Sequence, residues 1–386
     1  MIFATPFRRC RSLTGDAGRG SLQADLEYMA RALRLAERGM YTTTPNPRVG
    51  CVLVRDDQVI GEGWHERAGG PHAETVALQN AGSAANGATA YVTLEPCSHH
   101  GRTPPCANAL IAAGVRRVVA AMRDPNPAVC GAGIERLRSA GIGVDVGVLA
   151  DAAHDLNVGF VARNERGTPW VRLKIAATLD GKTALLNGVS QWITGSEARR
   201  DGHAWRARAC AVLTGIGTVQ NDDPQLTVRE VDTPRQPLRI LVDSRMDVSP
   251  DAKVLAGGGT LVVTARDDLE KRRRLNDRGA EVVVLPNAAG KVDLAALMRE
   301  LGQRAVNELH IEAGYKLNGS LLRAALVDEL VLYLAPSVVG DAAQGMFNLP
   351  ELSDLSGRHA LEIRNVCQIG GDIRILARPE RLVRSE

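Results

Sequence analysis

Short apolar runs alternate with amphipathic stretches along almost the whole chain of 386 residues, and the alternation breaks only once. Leu26, Met29, Ala30, Leu33 and Ala36 share one helical face, which predicts a helix over residues 25–38 with Gly39 as its stop. Strands follow at 49–54 and 59–60, a helix at 72–79, a strand at 90–94, a helix at 106–113, a strand at 115–121 and a helix at 133–140. Residues 150–169 then read as a polar stretch ending in Arg166-Gly167-Thr168-Pro169. Beyond it the alternation restarts, with strands at 171–176, 211–214, 238–242, 260–264, 281–285, 308–311 and 330–334 and helices at 196–208, 294–301 and 319–325. Several of these strands are apolar on both faces, as in sheets covered on both sides. The pattern predicts an α/β chain of two domains, residues 23–168 and 169–386, after an extension over residues 1–22.

In that extension Arg8, Arg9, Arg11 and Arg19 are interleaved with Ser, Thr and Gly, a composition like that of a transit peptide, but its apolar stretch is too short for a secretory signal. It is expected to be a disordered start. Composition narrows the function. With 47 basic against 44 acidic residues the charge is almost balanced, unlike that of proteins that coat nucleic acid. Four Trp, five Tyr and four Phe supply a base-stacking platform poorly. No apolar run is long enough for a transmembrane helix. Seven cysteines in so long a chain do not form a disulfide framework, and they fit a reducing cytoplasm.

The densest chemistry is the set Pro71-His72-Ala73-Glu74, Pro96-Cys97 and Pro105-Cys106. One imidazole and two thiolates suit zinc, and three protein ligands leave a fourth position for water, the mark of a catalytic site. Zinc lowers the pKa of that water towards neutrality. Glu74 stands two residues beyond His72 at the opening of the same helix, where it suits a general acid/base rather than a ligand. Each cysteine follows a proline at an expected helix start, where the helix dipole favours thiolate. A structural reading closes the metal with His99 or His100 as fourth ligand, but it leaves Glu74 without a task. Cys51 reads as core, and Cys130, Cys210 and Cys367 have no partner pattern. Zinc nucleobase deaminases carry H-x-E followed by P-C-x-x-C. Here eight residues separate the cysteines, which points away from the cytidine and tRNA-adenosine deaminases.

The run Thr93-Leu94-Glu95-Pro96-Cys97-Ser98-His99-His100-Gly101-Arg102-Thr103-Pro104-Pro105-Cys106, with Pro45-Asn46-Pro47-Arg48-Val49-Gly50-Cys51 upstream, resembles the riboflavin-biosynthesis deaminase. The resemblance runs from about Ala24 to near the C-terminus and is to the two-domain family that joins a diaminohydroxyphosphoribosylaminopyrimidine deaminase to a 5-amino-6-(5-phosphoribosylamino)uracil reductase. It implies a cytidine-deaminase-like α/β/α domain in which Glu74 shuttles protons and Asn46 and His65 touch substrate.

No Gly-x-Gly-x-x-Gly follows a strand in the second half, so the residues alone give an α/β domain with polar strand ends at 178–182, 215–218, 221–224 and 312–314. Lys174 through Lys182, Ser190-Gln191-Trp192-Ile193-Thr194, Asp222 through Arg229 and Glu312-Ala313-Gly314 resemble the reductase of the same family. That resemblance implies a dihydrofolate-reductase-like fold and NADPH, with Ala176, Trp192, Thr218, Asp222, Ser244 and Gly314 at the cofactor. It places Lys174, Ser190, Arg206, Leu226, Arg229 and Glu312 at the substrate, a phosphoribosylaminopyrimidine. Arginine forks match phosphate oxygens. Ser244-Arg245 is compatible with a 2′-phosphate, and Tyr315 stands where a small residue or proline is expected. Members of this family are often oligomeric, so a homo-oligomer is compatible with the resemblance. Two alternatives stay open: a deaminase with a non-catalytic, substrate-binding second domain, and a zinc module that edits nucleic-acid bases.

Overall fold

The computed structural model describes residues 16–98, 105–127 and 129–380. By packing, the chain divides into two units. The first contains residues up to Gly39, Arg48–Asp124 and the stretch ending at Leu156; the second contains Met40–Pro47, Pro125–Pro127 and the chain from Asn157 onwards.

In the first unit, helix α1 (Asp16–Glu37) precedes strands β1 (Gly50–Arg55) and β2 (Gln58–Trp64), helix α2 (Ala73–Ala81) and strand β3 (Thr89–Val92). Helix α3 (Cys106–Ala112), strand β4 (Arg117–Ala120), helix α4 (Ala132–Ser139), strand β5 (Gly143–Val146) and helix α5 (Ala150–Leu156) complete it. The sheet order is β2-β1-β3-β4-β5, antiparallel around β1 and parallel from β3 to β5. Helix α2 lies directly on β2 because Gly63 has no side chain: a Cβ there would stand 2.4 Å from the Ala73 carbonyl oxygen.

The second unit opens with helix α6 (Val158–Arg166), strands β6 (Trp170–Thr178) and β7 (Lys182–Ala184), helix α7 (Ser196–Arg208), strand β8 (Ala211–Gly215) and helix α8 (Ile216–Asp222). Strands β9 (Leu238–Val242) and β10 (Thr260–Thr264), helix α9 (Leu269–Asp277), strand β11 (Ala280–Val284), helix α10 (Leu294–Gln303), strand β12 (Glu308–Ile311) and helix α11 (Tyr315–Arg323) follow. Strands β13 (Glu329–Ala335), β14 (Gln344–Gly345), β15 (Leu361–Ile369) and β16 (Asp372–Pro379) end the described chain. The nine-stranded sheet runs β11-β10-β9-β8-β12-β6-β13-β16-β15. It is parallel from β11 to β13, and the last two strands add antiparallel. Strand β12 inserts between β6 and β8, so the chain direction across the sheet reverses there. Its two faces differ. Leu309 and Ile311 join the apolar core, while Glu308 and His310 face a buried ionic layer.

Several expectations need correction. Residues 150–166 form α5 and α6 rather than a featureless polar stretch, because Ala153, Leu156, Val158, Val161 and Ala162 bury a helical stripe among the polar residues. Helix α6 packs with the second unit, so the packing units change between Leu156 and Asn157. Helix α1 starts at Asp16, within the expected extension, where no proline interrupts it; residues 1–15 lie outside the described residues. Helix α11 starts at Tyr315 rather than at 319. Gly319 is an interior residue, small because the Asn348 backbone presses on it, with a Cβ position 2.1 Å from the Asn348 carbonyl oxygen. Strands β5, β7, β14, β15 and β16 and helices α8 and α9 had no expected counterpart.

Candidate active sites

The first site is built by two helix starts and one strand end. His72 is the N-cap of α2 and Glu74 lies in its first turn. Cys106 opens α3, and Cys97 follows β3 through Thr93, Leu94, Glu95 and Pro96. The sulfur of Cys106 lies 3.2 Å and that of Cys97 3.6 Å from His72 Nδ1. The three donor atoms all stand within 4.8 Å of one another. The Cys106 amide donates to Cys97 Sγ at 3.3 Å, as a thiolate at a helix start requires. A hydrogen bond from Cys106, opposed by burial and assisted by His72, draws the Cys97 thiol down, and the shared proton stays with Cys106. One soft nitrogen and two sulfurs at this spacing fit zinc.

Glu74 is 3% exposed. Burial raises its pKa, which the hydrogen bond at its own backbone, the His72 charge and a contact from Cys106 partly offset. A buried carboxyl beside a metal site that is not itself among the three donors is suited to carry protons. His65 is buried too, with Nδ1 2.9 Å from the Pro71 carbonyl oxygen and its ring edge-on to His72 at 5.6 Å. Burial lowers its pKa, so its neutral form prevails. Asn46 sits in the segment Met40–Pro47, its amide bonded to the Thr43 carbonyl. That segment is held within the second unit: Asn307 Nδ2 donates to the Pro45 carbonyl at 2.8 Å and Arg235 Nε to that of Tyr41 at 2.8 Å. His99 and His100, the alternative fourth ligands, lie outside the described residues. Cys51 is buried in β1. Cys210 does have partners: its sulfur accepts from the Asn307 and Glu308 amides at 3.2 and 3.5 Å.

The second site is a cavity of about 1580 Å³ at the carboxyl ends of β6, β8, β9 and β12. Open parallel sheets bind ligands at such a reversal of strand order. Lys174, Ala176, Ser190, Trp192, Arg206, Thr218, Asp222, Leu226, Arg229, Ser244, Glu312 and Gly314 all line it. Sequence reasoning selected them from scattered motifs; the fold brings them together. At the centre Glu312 is clamped by Arg206, whose Nη2 donates at 2.9 Å and whose Nε also bonds the carboxylate. Lys174 Nζ lies 3.9 Å away. Burial would raise the Glu312 pKa, but the Arg206 charge and hydrogen bonds, with Lys174, hold it well below the usual carboxylate range. Burial pulls Lys174 down, and Glu312 opposes that fall. Arg206 Nη1 donates to the Thr227 carbonyl, so its fork is fully engaged rather than solvated. Arg229 is freer: among the described residues its guanidinium bonds the side chains of Gln225 and Thr227. Ser190 Oγ donates to Asp222 at 3.1 Å. Trp192 is 70% exposed on the cavity rim, stacked under Arg199, and is not core.

Sequence reasoning missed the layer beneath. His310 is fully buried, with Nε2 3.4 Å from Glu312 and, among the described residues, no well-formed hydrogen bond on either ring nitrogen. Arg172 bridges Glu308 at 2.9 Å and Glu329 at 2.7 Å. The alternation of charged residues in an apolar strand, Glu308-x-His310-x-Glu312, was the available signal.

Comparison with known proteins finds relatives for both halves of the chain. Residues 22–122 match the cytidine and deoxycytidylate deaminase zinc-binding region, and residues 169–375 match the RibD C-terminal domain. The riboflavin biosynthesis protein RibD of Escherichia coli K12 is 48% identical over 362 residues, spanning 90% of this chain and 98% of that protein. The chain belongs to the RibD family. Among solved structures, an Acinetobacter baumannii RibD superposes with a TM-score of 0.87 at 44% identity, covering 93% of this chain and 99% of the other. A Thermotoga maritima diaminohydroxyphosphoribosylaminopyrimidine deaminase/5-amino-6-(5-phosphoribosylamino)uracil reductase does so with 0.83 at 34% identity, covering 93% and 99%. Like RibD, this chain is a bifunctional deaminase and reductase of riboflavin biosynthesis, with zinc and NADPH as cofactors. Among the described residues no helix is long and apolar enough to cross a membrane.

Proposed function

We propose that His72, Cys97 and Cys106 hold the zinc and that Glu74 carries the protons of a hydrolytic deamination of 2,5-diamino-6-(5-phosphoribosylamino)pyrimidin-4-one. The two activities are assigned to residues 23–168 and 169–386. Bound zinc supplies a water acidified towards neutrality. With the metal bound, the Glu74 carboxylate would hold and move the proton between the attacking water and the departing amine; its burial beside Cys106 supports this role. His65 and Asn46 orient the pyrimidine. The observation that carries the reading is the convergence of three soft donors around a buried carboxyl that is not one of them.

In the second domain Ala176, Trp192, Thr218, Asp222, Ser244 and Gly314 would hold NADPH, which would supply the hydride for reduction at C1 of the opened ribose. Lys174, Ser190, Arg206, Leu226, Arg229 and Glu312 hold the substrate, with Arg229 at its phosphate because, among the described residues, its guanidinium bonds two neutral side chains. The charge of Arg206 is offset by Glu312. Lys174 and Arg206 against one carboxylate leave a net positive charge, which suits an anionic substrate.

The same reading places the enzyme in the cytoplasm, acting on free small molecules rather than nucleic acid; the free cysteines and near-neutral charge support it. It includes a homo-oligomer, supported by Ile363 and Val366, exposed on the outermost strand β15; sedimentation as a monomer at micromolar concentration removes that part. Glu74→Gln tests the centre of the proposal. It should retain zinc and lose ammonia release by a factor of about 10²–10⁴. Full activity in the variant removes Glu74 from the mechanism.

A further inference from the structure

One buried carboxylate in the first unit has no part in the chemistry above. Glu95, 4% exposed, stands two residues before Cys97. Its Oε1 accepts from the amides of Gly133 at 2.9 Å and Ile134 at 3.2 Å, and its Oε2 from those of Gly131 at 3.0 Å and Asp124 at 3.2 Å. Four backbone donors on one side chain exceed what a surface carboxylate gathers. Two of them are orphan donors in the first turn of α4, whose N-cap, Gly131, offers no side chain. The cap therefore comes from a residue 38 positions away from Gly133 in the chain.

The consequence for Cys97 follows from the backbone on both sides of it. The Glu95 amide donates to the Met122 carbonyl at 2.9 Å. Next comes Pro96, whose ring fixes φ, and whose carbonyl is covered by Gly133. A Cβ on Gly133 would stand 1.9 Å from the Pro96 oxygen, so nothing larger than glycine fits there. Beyond Pro96, the Cys97 carbonyl accepts from the Ala107 amide at 3.1 Å, and its sulfur from the Cys106 amide at 3.3 Å. Little torsional freedom remains between the pinned Glu95 and the thiolate.

We infer that Glu95, with Gly133 seated on Pro96, is a positioning residue for the zinc site: it holds the start of α4 as a stop against which the Pro96-Cys97 step is set, and so fixes the distance of the Cys97 sulfur from His72 and Cys106. The inference rests on the zinc reading of that site. Partners that orient metal ligands commonly change affinity or activity by about 10–100-fold when removed.

Glu95→Gln keeps the shape and one acceptor oxygen but turns an amide NH₂ towards two backbone N–H groups. Gly133→Ala keeps the carboxylate and pushes chiefly on Pro96, its Cβ standing 1.9 Å from the Pro96 oxygen and 3.2 Å from Glu95 Oε1. Both variants are prepared as full chains, loaded with zinc or with cobalt, whose visible bands report ligand geometry. The expected result is zinc loss to a chelating dye about 10–100-fold faster than wild type, altered cobalt bands, and an unchanged KM for NADPH in the reductase assay. Wild-type cobalt bands and zinc release in either folded variant overturn the inference, as does zinc loss that only tracks unfolding followed by circular dichroism. Should Glu95→Gln not fold, Gly133→Ala alone decides. If the wild-type chain takes up neither metal, the zinc reading itself fails, which is a different outcome.

Discussion

The clamp between Arg206 and Glu312 makes a sharp prediction about charge removal. In Arg206→Met the aliphatic stem stays and the guanidinium goes, leaving a carboxylate only 16% exposed. At an effective dielectric of about 20, attraction at 2.9 Å comes to roughly 6 kcal/mol and at 3.9 Å to roughly 4 kcal/mol, the first being the Arg206 Nη2 contact and the second that of Lys174. Lys174 therefore compensates partly. Breaking a buried pair costs about 3–5 kcal/mol, and the remaining lysine places this variant near the lower end, at about 3 kcal/mol. That is a large share of the stability of a typical domain, about 5–15 kcal/mol. The pH dependence identifies the cause. In the wild type the Glu312 carboxylate is held well below the usual carboxylate range, so its contribution is complete above about 4.5 and is lost as the pH falls through the folded value. The deficit of the variant should be greatest at neutral pH and narrow below about 4.5, where the stranded carboxylate protonates. Urea unfolding at pH 7 and pH 4, with the double variant Arg206→Met/Glu312→Gln, measures it. The double variant should recover much of the loss. A deficit under about 1 kcal/mol at pH 7, or one that does not depend on pH, refutes the argument that Arg206 serves chiefly to neutralise Glu312.

Other outcomes follow from the same structure. Arg172→Met takes one arginine from each of two buried carboxylates, Glu308, which keeps Arg208, and Glu329, which keeps Arg378, and should cost about 3 kcal/mol; a thermal midpoint within a degree of wild type contradicts this. His203 is lowered to about 4 by burial and by Arg206 and Arg229, and burial also lowers His310. Their folded forms are neutral while the unfolded forms take up protons near 6.5, so stability is full above 6.5 and falls on acidification. His203 alone accounts for about 3 kcal/mol by pH 4; His203→Asn should flatten the profile of urea midpoints, and an unaltered slope excludes the assignment. Zinc removal should abolish ammonia release yet leave NADPH oxidation with the deaminated substrate intact; loss of both indicates that the metal supports more than the first unit.

The sequence disclosed the chemistry of the first site because its parts are local. His72 and Glu74 share one helical turn, and each cysteine carries its own proline, so spacing alone indicated a metal with one open position. The second site was readable only as clusters at strand ends and by resemblance to a reductase. What could not be read was pairing across distance. Arg206 sits in a basic helix, and the carboxylate that its guanidinium bonds is 106 residues away. Arg172 and Glu329 lie 157 apart, and Glu95 caps a helix 38 residues downstream. Helices α5 and α6 were obscured because few apolar residues, spread among polar ones, sufficed to dock them.

Strand β12 has one more consequence, for how the large sheet is threaded. Its residues alternate between hydrocarbon on one face and ionised or imidazole side chains on the other, and it pairs in parallel with β6 and β8. A slip by one residue reverses every side chain. It would press Glu308 and His310 into the apolar core and withdraw Leu309 and Ile311 from it. Few misthreaded arrangements could survive that exchange, so the charges that set the cavity's electrostatics also act as a proofreading device for the sheet, rejecting incorrect registers during folding.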